Sequence, residues 1–195
     1  MMTQPKFKGK YRVESTRLPN QDYATNGWYF VTICTRDRTH FFGNIVEGQV
    51  QLSAIGEIAQ WFWIDILNHF EHTYINGYVI MPNHVHGIIV IDRPHQVNRD
   101  RPPNVETLQC NVSTRNQFMS NISPQAGSLG TIMRSYKSAV SYWCHQNGYD
   151  HFAWQPRFYE HIIRADGSLN RIRDYIANNP TKWELDRHNP TNLWM

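Results

Sequence analysis

Residues Ile80 to Ile91 read Ile-Met-Pro-Asn-His-Val-His-Gly-Ile-Ile-Val-Ile. The β-branched run Ile88, Ile89, Val90 and Ile91 predicts a strand, and side chains two apart on a strand share a face. His84 and His86 therefore project to one side and Val85 to the other. Two imidazoles on one face can bind a divalent metal, or they can be two hydrogen-bonded histidines at the mouth of a sheet. The motif alone does not decide between these, so a third ligand and a nucleophile are sought elsewhere in the chain.

Around this strand the chain divides into alternating patterns. Upstream, Tyr74–Met81 predicts a strand that Pro82-Asn83 turns into the histidine strand as a hairpin. Before it, residues 53–70 carry Ile55, Ile58, Ala59, Phe62, Ile66 and Leu67 at helical spacing, with Ser53 as N-cap. Trp28–Thr35, rich in aromatic and β-branched residues, predicts the first strand. Residues 1–26 form a basic arm with Lys6, Lys8, Lys10 and Arg12. Downstream, residues 92–127 form a long polar connection or insertion, and residues 128–147 predict a helix that Gly148 stops. Phe158–Ile163 predicts a fourth strand, and a last helix runs from Ser168 until Pro180 ends it. The order β-α-β-β-α-β-α predicts an α+β fold: a ferredoxin-like βαββαβ antiparallel sheet with an additional C-terminal helix. One domain is expected over 27–187, with 188–195 as a tail.

Composition narrows the class. The 195 residues are 41% hydrophobic and 13% aromatic, which supports a packed core, and mean hydropathy is -0.58. No apolar run approaches a membrane span, and the polar, basic N-terminus has no signal region, so a cytoplasmic protein without membrane attachment is expected. Cys34, Cys110 and Cys144 are odd in number and lack zinc-like spacing, consistent with reduced thiols. Net charge is only +3, but residues 1–40 hold seven of the nineteen Lys and Arg and residues 41–92 hold none. A positive arm and a positive second half suit a polyanionic partner such as nucleic acid.

The last helix supplies the remaining chemistry. Tyr175 and Asn179 lie four residues apart, about one turn from each other on the face beside the apolar stripe of Leu169, Ile172 and Ile176. They read either as a nucleophile next to an oxygen ligand or as a half-buried aromatic and a helix C-cap.

The segments Tyr29-Phe-Val-Thr-Ile-Cys-Thr35, Met81-Pro-Asn-His-Val-His-Gly87, Trp154-Gln155 and Asp174-Tyr-Ile-Ala-Asn-Asn-Pro180, in this order across roughly residues 11 to 185, resemble those of the REP-associated tyrosine transposases, a branch of the HUH single-tyrosine transposases. The resemblance implies His84 and His86 as paired metal ligands, Tyr175 as nucleophile and Asn179 as a third metal ligand. Related insertion-sequence transposases have Gln at that last place. It further implies a divalent cation, Mg²⁺ or Mn²⁺, and a single-stranded or hairpin DNA substrate cut through a 5′-phosphotyrosine intermediate. The resemblance leaves a homodimer and a monomer both open, since such a family includes dimers that exchange tyrosine helices and monomer-like members. For DNA binding the sequence offers Arg134, Lys137, Gln155, Arg157 and Arg164, with Trp154, Phe158 or Tyr159 as stacking surfaces. Two other functions fit the same residues: a non-catalytic hairpin-DNA binder, and a metal-dependent hydrolase that activates water.

Overall fold

The computed structural model describes residues 25–94, 126–164, 167–186 and 188–189. The basic arm up to residue 24, most of the long polar connection with Cys110, and the tail beyond residue 189 lie outside this set. Strand β1 (Gly27–Cys34) leads to a short hairpin of β2 (Gly43–Val46) and β3 (Gln49–Leu52), then α1 (Ala54–His69), β4 (Thr73–Met81), β5 (His84–Ile91), α2 (Leu129–Gln146), β6 (Tyr159–Ile163) and α3 (Ser168–Asn178). A 3-10 segment, Pro180–Leu185, follows α3 directly.

The main sheet has the order β4-β5-β1-β6 with every neighbour antiparallel. This is the expected ferredoxin-like arrangement. The β2–β3 hairpin is an addition to the order read from sequence. Its strands have only four residues each, and its turn is Glu47-Gly48, both with positive φ (51° and 73°). That geometry belongs to the tight turns usually marked by Asn-Gly or Asp-Gly, so Glu-Gly gives a weak signal.

Period-two alternation divides β1 and β5 between two cores. Tyr29, Val31 and Ile33 with Val85, Ile89 and Ile91 pack against Ile55, Ala59, Trp63 and Ile66 of α1 and Ile132, Met133, Tyr136 and Val140 of α2. Phe30, Ile88, Val90 and Ile163 face Ile176 of α3, with Leu169 and Ile172 beside it. Two helices thus cover one face and α3 covers the other, which buries all eight residues of β5. The apolar stripe of α1 departs from the sequence expectation in two places. Trp63 is fully buried, whereas Leu67 is exposed. Trp63 fits because Gly87 stands opposite: a Cβ there would lie 2.2 Å from the indole Cζ2. The glycine closing the histidine motif therefore answers to helix packing on the reverse face.

Helix α3 is tied across the sheet through an irregularity in β4. The register shifts between Ile75 and Gly77, and the Asn76 Oδ1 accepts a 2.7 Å hydrogen bond from Arg173 Nε. On the opposite face α2 is tied to the segment before β6 by Lys137. Its ammonium donates to the carbonyls of Gln155 (2.8 Å) and Arg157 (2.9 Å), and it lies over the Trp154 ring, whose Nε1 donates to the Lys137 carbonyl. Burial lowers the Lys137 pKa to about 8.

Two outcomes follow from this packing. Gly87→Ala should destabilise the protein by about 1–3 kcal/mol through overpacking against Trp63, seen as a lower urea midpoint with unchanged slope. For Lys137, the folded pKa of about 8 lies below the ordinary 10.5. Between those values the unfolded chain binds more protons than the folded protein, so the stability from this group rises with pH across that window. Urea midpoints from pH 7 to 10 should climb more for the wild type than for Lys137→Met.

Candidate active site

Strand β5 presents His84 and His86 on the α3 face, both with no solvent exposure and with ring centroids 4.4 Å apart. The same-side projection expected from their spacing is observed. Antiparallel pairing sets Cys34 and Met81 beside His84, and Thr32 and Val79 beside His86.

The two rings are held at their Nδ1 atoms. His84 Nδ1 is 2.9 Å from Asn83 Oδ1. The orientation of that amide is fixed from its other end, since Asn83 Nδ2 donates to the carbonyls of Arg38 (3.0 Å) and His188 (2.8 Å). A carboxamide oxygen only accepts, so His84 carries its proton on Nδ1 and, as a neutral ring, keeps the lone pair on Nε2. His86 Nδ1 lies 2.8 Å from the Thr32 hydroxyl, and its Nε2 lies 3.1 Å from the Tyr175 hydroxyl. With the tyrosine O–H donating to Nε2, the ring donates from Nδ1 to Thr32. Partners of this kind orient metal-binding imidazoles and select their tautomers.

Helix α3 brings Tyr175 over the sheet, its ring edge-on to Phe30 at 6.1 Å between centroids and 5.1 Å from His86. It remains 39% exposed, open to a substrate while its hydroxyl is held at the histidine. Asn179, buried one turn later, donates from Nδ2 to Asp186 Oδ2 at 2.9 Å, while its Oδ1 is buried without a hydrogen-bond partner. Asp186 Oδ1 in turn accepts from the His188 backbone N–H at 2.6 Å. His188 packs 4.6 Å from the His84 ring between centroids and meets Arg38 Nη1 through its own Nδ1. Both His188 and Asn189, read from sequence as the start of the tail, are buried.

Donor atoms of His84, His86 and Asp186 all lie within 4.8 Å of one another. Two imidazoles and a carboxylate are a suitable donor set for a divalent transition ion or for Mg²⁺ with water completing its shell. A cavity of about 480 Å³ opens beside them, lined by Tyr175, Asn179, Lys182, Leu185 and Asp186.

Of the residues singled out from sequence, His84, His86 and Tyr175 meet directly, and Asn179 joins through Asp186. Asp186, Asn83 and Thr32 were not singled out. Asn83 adjoins the motif, where its sequence context marks a turn. Thr32 is legible only once β1 and β5 are in register, and Asp186 only once the chain turns back after α3. Among the DNA-binding candidates, Arg134, Lys137 and Arg157 share one groove, with exposed Gln155 two positions before Arg157 in the chain. Arg164 follows the other end of β6, beyond the Ile163–Trp28 pair, and is not brought to them. Lys137 points its ammonium inward to carbonyls. Among the described residues no helix is long and apolar enough to cross a membrane, and Cys34 and Cys144 form no disulfide.

No family model matches the chain. It is 34% identical over 189 residues to an uncharacterised protein of Haemophilus influenzae, spanning 95% of this chain and 98% of that one. A second protein of that bacterium, provisionally named a REP-associated tyrosine transposase, is 24% identical over 163 residues, 83% of this chain and 74% of its own. The fold is shared with a solved REP-associated tyrosine transposase bound to a REP hairpin, with a TM-score of 0.53, 19% identity, and coverage of 88% of this chain and 77% of the other. With the paired histidines on the central strand and the tyrosine helix above them, the chain belongs to one family with the uncharacterised Haemophilus protein and is similar to the REP-associated tyrosine transposases.

Proposed function

We propose that the protein is a metal-dependent single-strand DNA endonuclease and strand transferase that acts on hairpin-forming repeats. The observation that carries this reading is the Tyr175 hydroxyl 3.1 Å from His86 Nε2, beside a cluster able to hold a cation. A phenol with a pKa near about 10 is a weak nucleophile at neutral pH unless its target is made more electrophilic. A divalent ion, Mg²⁺ or Mn²⁺, supplies that when bound, by polarising the scissile phosphate.

His84 and His86 would hold the ion, with Asp186 as the carboxylate ligand. Asn179 steadies Asp186 through Nδ2 and leaves its Oδ1 as a further oxygen donor. The His86 Nε2 lone pair serves either the tyrosine O–H or an ion. Tyr175 would therefore give up its bond to Nε2 where an ion is held there, its hydroxyl remaining beside the site. Tyr175 Oη forms a bond to the phosphorus as the bond from phosphorus to the 3′ oxygen breaks. The phenol loses one proton and the departing oxygen gains one, so a 5′-phosphotyrosine and a 3′-hydroxyl result. A second 3′-hydroxyl reverses the step and joins strands without ATP. The partner is single-stranded or hairpin DNA, as in the REP-hairpin complex of the structural relative.

Incubating the protein with labelled hairpin DNA and Mg²⁺ or Mn²⁺ should give a covalent adduct on denaturing electrophoresis. Tyr175→Phe should abolish adduct and cleavage while DNA affinity stays within about twofold, since only the hydroxyl is removed. Normal cleavage by that variant would sink the mechanism and favour activated water; adduct-free binding by the wild type would favour a non-catalytic binder. A separate test reads the metal site without turnover. Thr32→Val removes the partner of His86 Nδ1 at nearly constant volume, and should lower Mn²⁺ affinity about 10-fold or more, measured by titration calorimetry. Tyr175→Phe should bind Mn²⁺ at least as tightly as the wild type, because it no longer competes for Nε2.

A further inference from the structure

A groove of about 610 Å³ lies between α2 and the segment leading into β6, on the face of the sheet opposite Tyr175. Its walls include Arg134, Ser138 and Ser141 from one side of α2, and Arg157 and Phe158 across from them. Arginines with lysine and no carboxylate line it, so its charge complements an anion. Phe158 is half-buried and adds an apolar wall, with Trp154 also lining the groove. The volume falls within the range of small-ligand pockets and exceeds what one phosphate needs.

The groove is built rather than incidental. Arg157 has a φ of 66°, a conformation that non-glycine residues rarely adopt. Lys137 holds that backbone through the carbonyls of Gln155 and Arg157, so its ammonium shapes the groove from inside. The wall is also bonded to the end of β1, the neighbour of the histidine strand. Trp154 bridges to Thr35, and Gln155 N–H donates to the Cys34 carbonyl at 2.9 Å. At the start of β6, Tyr159 pairs with Thr32, the residue that holds His86. The groove thus begins about two strand spacings, about 10 Å, from the histidine strand.

We propose that this groove takes one unpaired nucleotide of the DNA substrate, the base against Phe158 and the phosphate between Arg134 and Arg157. Stacking needs a base released from its pair, so a duplex gains nothing from the groove, whereas a hairpin with a single-stranded tail fills it. The assignment rests on the reading of the chain as a DNA enzyme only for the choice of ligand.

The test is fluorescence anisotropy with a labelled hairpin carrying a short single-stranded tail, at fixed salt, with abasic nucleotides scanned along the tail. Ser138→Trp fills the groove from an exposed helical position and leaves every cation in place; Ser141→Tyr is an independent second filling. Both variants are first matched to the wild type by thermal unfolding. In the wild type one abasic position should weaken binding at least fivefold. The same position should cost nothing in either filled variant, whose affinity for the tailed hairpin falls to that of the untailed one. Equal abasic losses in wild type and filled variants, or wild-type affinity in both filled proteins, would overturn the assignment. Adduct formation at Tyr175 is scored separately. Its presence with no abasic coupling rejects the groove alone, and its absence with coupling intact rejects the catalytic reading alone.

Discussion

Strand β5 is buried on both faces, and its period of two forces neighbouring residues into different environments. Val85, Ile89 and Ile91 enter the core under α1 and α2, while His84, His86, Ile88 and Val90 face α3. A one-residue slip in pairing would exchange these sets, placing imidazoles in an apolar core and valine and glycine at the site. The hydrophobic cost of such a slip fixes the register, and the register fixes the histidines. Gly87 adds a second lock, since only there can Trp63 come so close to the strand.

Burying two imidazoles is tolerable because each is hydrogen-bonded at Nδ1. The partners differ in what they dictate. Asn83, held by two backbone carbonyls, imposes one tautomer on His84, whereas the Thr32 hydroxyl can adapt to the state of His86. The histidine beside Tyr175 is therefore the one whose protons can rearrange when the tyrosine moves. The segment after α3 completes this environment. Asp186 and His188 close over the rings, and Asn179 ties that closure to the tyrosine helix.

The two faces of the sheet carry different duties. Above it lies the tyrosine and its histidine cluster; below it, Lys137, whose pKa burial lowers, donates to backbone carbonyls, one of them that of Arg157, which has a left-handed conformation. The place of Lys137 among basic residues suggests a phosphate contact. Its geometry makes it a clamp, and leaves Arg134 and Arg157 as the groove's outer cations.

The sequence by itself determined the strand–helix order of the main sheet, the same-face histidines and the tyrosine helix, because each depends on local periodicity: two along a strand, 3.6 around a helix. The short β2–β3 hairpin escaped because Glu47-Gly48 is an uncommon turn pair. Only the tertiary structure decided which groups surround the imidazoles. Thr32 lies 54 positions from His86, and Asp186 lies 102 positions from His84. No periodicity links such residues. They meet because antiparallel pairing sets β1 beside β5, and because the chain beyond α3 turns back to bury itself against the histidines.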